Sequence, residues 1–169
     1  MNKTLLILFL LCFNFSAVSA EDKIVFLDID IILKDSNYGK KLIDKLNSAN
    51  SKNLNILKND EDKLKELESE INSLKNIITK TELELKIKNF KKEVKFFNEK
   101  KDKLNNEYEL LRKNEFNKFL SLASPIIEEF MKTNSIKIIL DKKNLFIANP
   151  KYDITNDLVK LINSKIKHD

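Results

Sequence analysis

The sequence contains almost nothing that interrupts a helix. One residue of 169 is Gly and two are Pro, whereas Gly alone normally supplies about 7% of a globular chain. Few breakers, with many Lys, Glu, Leu and Ile residues, point to long helices. There is no Trp, one Cys and one His. The usual zinc ligand sets are therefore absent. A single Gly, Gly39, leaves no Gly-rich loop to cradle a phosphate. His168 stands one residue from the C-terminus, where a frayed tail is the expected state. No catalytic residue, cofactor site or metal site is expected, and the chain reads as a non-enzyme. After residue 20 no apolar run is long enough to span about 30 Å of hydrocarbon.

What is present is charge and helix-forming residues. Charged residues make up 34% of the chain, with 31 basic against 26 acidic. Residues 1–20 stand apart: Lys3, then an apolar run from Leu5 to Phe15, then the small residues Val18-Ser19-Ala20 before Glu21. This is the pattern of a cleaved secretory signal peptide. Cys12 lies within the run and follows Leu11, which does not suit a lipoprotein site. The expectation is an exported, periplasmic protein whose mature part carries no thiol.

Lys23 to Asp28 (KIVFLD) is a short β-rich run that reads as a strand buried on both faces. Asp30 to Lys34 suggests one helical turn, and Ser36-Asn37-Tyr38-Gly39 a turn. From about Lys40 the apolar residues adopt steps of three and four: Leu57, Leu64, Leu67, Ile71, Leu74, Ile78, with Asp60 where one apolar residue is missing. A second series runs Phe90, Val94, Phe97, Lys101, Leu104, Tyr108, Leu111, Glu115, Phe119, Leu122, Ile126, Phe130. Spacing of this kind over such a length predicts coiled-coil helices. Asn47 to Asn55 is the weakest helical stretch. Pro125 should kink the second helix or open a separate one.

Two overlapping Thr-x-x-Glu boxes, Thr79 to Glu82 and Thr81 to Glu84, can start a new helix. They lie close to the middle of the stretch from 39 to 134. A turn near 79–87 would make an antiparallel hairpin with arms of similar length. Charge agrees: Lys58 to Glu70 holds three Lys against six acids, and Lys86 to Lys103 holds eight Lys against three acids. Folded back, the two stretches would face each other, and opposite signs select partner and orientation.

Residues 135–169 change character. Ile136 to Leu140 and Leu145 to Ala148 read as two strands of a hairpin around Asp141-Lys-Lys-Asn144. Asp153 or Thr155 can cap a last helix carrying Leu158, Leu161 and Ile162. The hairpin arm would bring this end back to residues 21–38. The fold class expected is α+β: a long helical hairpin on a small β body of three strands from both chain ends, with Val25, Leu27, Ile138, Leu140 and Phe146 in the body and its assembly core. Three short strands form a thin core with exposed edges, which favours association of several chains.

The signal peptide, the KIVFLDID strand, the Lys/Glu/Asn-rich helical pair and the ending IKIILDKKNLFIANPKYDITNDLVKLIN together resemble the Skp family of periplasmic chaperones, also called OmpH-like proteins. The strand ends and Asp153-Ile154-Thr155 carry the resemblance. It implies a homotrimer with helical arms around a cavity, in which unfolded outer-membrane proteins are held without ATP. The contact positions on the arms do not follow from it.

From the residues themselves, the candidate client surface is the basic run Lys86, Lys88, Lys91, Lys92 and Lys95, with Phe96 beside the seam. Such a surface attracts acidic clients or anionic lipid headgroups. Its competitor is a closed seam in which Phe90 and Phe97 pack inside while the lysines pair with acids of the facing helix. An exported protein would not meet nucleic acid. The alternative function is a structural coiled-coil adaptor of the envelope with one fixed partner.

Overall fold

A computed structural model describes residues 23–166. The expected signal peptide and His168 lie outside the described residues. The order is β1 (Lys23–Leu27), α1 (Ile29–Asp35), α2 (Asn37–Leu74), α3 (Lys80–Thr133), β2 (Ile136–Asp141), the 3-10 turns Lys142–Asn144 and Pro150–Tyr152, and α4 (Thr155–Lys165).

β1 forms where the apolar run predicts it, and Val25, Phe26 and Leu27 are all buried. β2 pairs with it in parallel. On its other edge β1 is bridged from Phe26 to Asp153, with the Ile154 N–H donating to the Phe26 carbonyl at 2.9 Å. The first strand is thus the partner of Ile136–Asp141, as expected, but the hairpin is not formed. The sheet has two strands, not three. Leu145 to Asn149 is irregular, and Phe146 and Ile147 are 99% and 83% exposed. Their apolar character mimics a strand, but none of the described residues covers them.

Asp28 caps α1 through its carboxylate, which accepts from the Asp30 and Ile31 N–H groups. Ser36 does not open a loop. It ends α1 and caps α2, its hydroxyl accepting from the Gly39 N–H at 3.1 Å, so Gly39 falls in the first turn of a helix. α3 continues through Pro125. Pro125 has no N–H for the Ser121 carbonyl, but Phe119 and Ala123 just before it are buried, and Ile126, Ile127 and Phe130 just after it pack on the core. Tertiary packing holds the helix across a residue that would break it in isolation. Neither expected residue takes the cap position of α4: Ile154 does, without a side-chain cap, while the Asp153 carboxylate just before it accepts from the Thr155 N–H at 3.0 Å. The Thr155 hydroxyl accepts from the Asp28 N–H at 2.9 Å, tying the two chain ends together.

The core lies in this body. Ile32, Phe119, Leu158 and Ile162 are fully buried, one or more from each of α1, α3 and α4, and Leu42 of α2 joins them. From there α2 and α3 leave as an antiparallel arm. Its turn is formed by residues 75–79, at the near edge of the range predicted. Thr79 makes the predicted capping box: its hydroxyl accepts from the Glu82 N–H while the Glu82 carboxylate accepts from the Thr79 N–H. The helices are unequal, 38 and 54 residues, because the last turns of α3 belong to the body.

Candidate functional site

Between Leu42 and Phe119 no residue of the arm is fully buried. Two helices alone cannot enclose a seam, so Leu57, Leu64, Ile71, Phe90, Val94 and Phe97 are half-covered. Leu54, Leu67, Leu85, Ile87, Phe96 and Leu110 are exposed. Leu122, predicted in the seam, points outward, because Ala123 takes the buried position as α3 enters the body.

The seam's polar interruptions are answered across the arm. The Asp60 carboxylate meets the Lys100 ammonium at 2.5 Å. Glu115 meets Lys45 at 2.6 Å. Asn53 donates to the Leu104 carbonyl at 3.4 Å. Nearer the tip, Lys86 meets Glu70 at 2.7 Å. Lys101 is exposed instead.

Hydrogen bonding from Lys100 and, beside it, the pull of Lys63 hold the Asp60 carboxyl below the usual carboxylate range. The Thr79 hydroxyl does the same for Glu82. Burial pushes Asp153 up, but the Thr155 hydroxyl and N–H and the Lys142 ammonium outweigh it and hold it low. A carboxyl depressed on folding stabilises the fold above its unfolded pKa of about 4, and that contribution is lost as pH falls through the folded value. Thermal melting followed by circular dichroism is therefore expected to show an unchanged midpoint from pH 7 to 5 and a fall below about pH 4.

The basic run divides into two roles. Lys86 is engaged with Glu70 across the arm and so serves the helix pair, whereas Lys95 meets Glu99 of its own helix at 3.6 Å and stays exposed. Lys88, Lys91 and Lys92 are exposed, and Phe96 is 56% exposed. Phe96 and Phe97 line a notch of about 310 Å³ with Asp60, Lys63, Leu64, Leu67, Glu93 and Lys100.

A larger site was not foreseen. At the root of the arm a groove of about 1080 Å³ is walled by Leu33, Leu42, Ile43, Leu46, Leu110 and Phe116. Asp30, Lys34, Glu109, Arg112 and Lys113 rim it. Its walls come from α1, α2 and α3, so no local pattern announces it; the signals on α3 were Leu110 and Phe116, apolar but outside the seam series. Lys143 reaches Asp30 at this rim at 2.5 Å, and Lys142 binds Asp153 at 3.1 Å. These two ion pairs fix the start of the segment that presents Phe146 and Ile147.

Of the expected body residues, Val25 and Leu27 are in the core, whereas Ile138, Leu140 and Phe146 are exposed in the single chain. The register shifts between Lys23 and Ile24, so that Lys23 pairs with Ile136 but Ile24 with Ile138. This bulge reverses the alternation of β2: Ile136 and Ile139 face the core while Ile138 and Leu140 turn away. With Ile24, Phe146 and Ile147 they leave the body with much exposed apolar surface.

Among the described residues no group of three His, Cys, Asp or Glu side chains could hold a metal ion, and no helix is long and apolar enough to cross a membrane.

No curated protein matches the chain significantly. A crystal structure from Caulobacter crescentus CB15, described as a candidate outer membrane chaperone (OmpH-like), has the same fold, with a TM-score of 0.73 at 17% identity over 89% of each chain. The sequence profile described as "Outer membrane protein (OmpH-like)" matches residues 23–162. The helical hairpin on a two-stranded body agrees with that match, and the chain belongs to the OmpH-like family.

Proposed function

We propose that this protein is an exported, ATP-independent chaperone that holds unfolded outer-membrane proteins in the periplasm, working as a homotrimer without catalytic chemistry. The observations that carry this reading are the apolar groove at the arm root and an arm seam that is nowhere fully closed. Apolar grooves with mixed-charge rims accept many sequences weakly. Several such weak contacts within one cavity add by avidity rather than by fit. The apolar surface around Ile138, Leu140, Phe146 and Ile147 supports assembly, since monomeric proteins rarely leave such patches uncovered. Family membership supports the chaperone role and the compartment.

Leu110 is 59% exposed, so Leu110→Glu removes groove surface without opening the core. Its affinity for a urea-unfolded outer-membrane β-barrel, measured by fluorescence anisotropy, is expected to fall about tenfold, the effect of roughly 1.4 kcal/mol. Thermal stability should stay within about 0.5 kcal/mol. Unchanged affinity would remove the groove from the binding surface.

A further inference from the structure

Along α3 the residues at one heptad position read Lys86, Glu93, Lys100, Glu107, alternating in sign every seven residues. Their counterparts on α2 are placed by contact: Glu70 on Lys86 and Asp60 on Lys100, with Lys63 and Glu93 sharing the notch between them. We infer that this alternating stripe is a register lock, which selects one pairing of the arm helices against the pairings one heptad away.

The apolar seam cannot make that choice, because a slip of seven residues returns apolar side chains to the seam. The turn does not exclude the slip that moves it later. The second box, Thr81 to Glu84, offers a cap for a turn placed slightly later. Charge does distinguish them. A slip one way sets Asp60 against Glu107, Lys63 against Lys100 and Glu70 against Glu93. A slip the other way sets Asp60 against Glu93 and Lys63 against Lys86. Each rung that carries two charges becomes repulsive. Single exposed pairs are weak, but here the same choice is made at several rungs together. The lock does not depend on what the arms bind.

The test inverts the stripe at constant net charge: Lys86→Glu, Glu93→Lys, Lys100→Glu and Glu107→Lys in one full-length chain. Spin labels at Asn59→Cys and Asn114→Cys, on a Cys12→Ser background, sit at exposed positions well separated along the arm. Labelled protein diluted into unlabelled protein reports the intrachain distance by electron double resonance. The inverted chain is expected to shift this distance by roughly 8–10 Å, close to the rise of one heptad. Adding Asp60→Lys, Lys63→Glu and Glu70→Lys should restore the original distance. An unchanged distance in a folded four-substitution chain would overturn the inference. If that chain does not fold, the seven-substitution chain must regain both the fold and the original distance. Its failure to do so would equally overturn the inference.

Discussion

Phe119→Ala should cost about 3–5 kcal/mol, the usual range for removing a fully buried phenylalanine. Phe119 has no exposed surface, and its ring centroid lies 6.0 Å from that of Tyr38. It sits where α3 enters the body, so its cavity would open between α2 and α3 at the place that fixes the arm's root. For a body this small that loss is a large share of a typical total stability of about 5–15 kcal/mol. Urea unfolding followed by circular dichroism should show the midpoint falling sharply. A loss under about 1 kcal/mol would mean that the core lies elsewhere.

Gly39→Ala is the second large effect, and its sign opposes intuition. In an exposed helix the change would stabilise by about 1 kcal/mol. Here a Cβ on residue 39 would lie 2.0 Å from the Leu33 carbonyl oxygen, a backbone atom that cannot swing aside. Overpacking of this kind costs about 1–3 kcal/mol or more, so a net loss of about 2–3 kcal/mol is expected in the same urea experiment. Stabilisation would show that α1 and α2 are free to separate. The Gly is present because α1 and α2, joined only through Ser36, fold back on each other at van der Waals distance.

That close approach also shows what could be read in advance. A lone Gly after Ser-Asn-Tyr reads as a turn, since the sequence gives no sign that Leu33 will press on it. Patterns confined to one element were legible: the KIVFL strand, the heptads, and the Thr79 box, whose two hydrogen bonds both form. The hairpin was legible from two local properties together, the charge asymmetry of its halves and the position of its cap. Properties that depend on distant segments were not. Leu145 to Ala148 has strand composition, yet the sheet ends at β2, and composition does not say whether a partner exists. The bulge that turns Ile138 and Leu140 outward arises from pairing with β1, more than a hundred residues away. The groove draws its walls from positions 33 to 116. Of the basic run, only the pairing of Lys86 depended on the other helix, where Glu70 engages it; Lys88, Lys91 and Lys92 stay exposed, as their composition suggested.

The measurement that bears most directly on the proposed activity is light scattering from a urea-unfolded outer-membrane β-barrel diluted into buffer. It would use protein beginning at Glu21 and shown to be folded, over a range of ratios to client. The proposal predicts that scattering is suppressed without ATP, saturates near one assembly per client, and is partly restored with Leu110→Glu. Undiminished scattering at a severalfold excess of folded protein would contradict it, and would favour an envelope adaptor with one fixed partner.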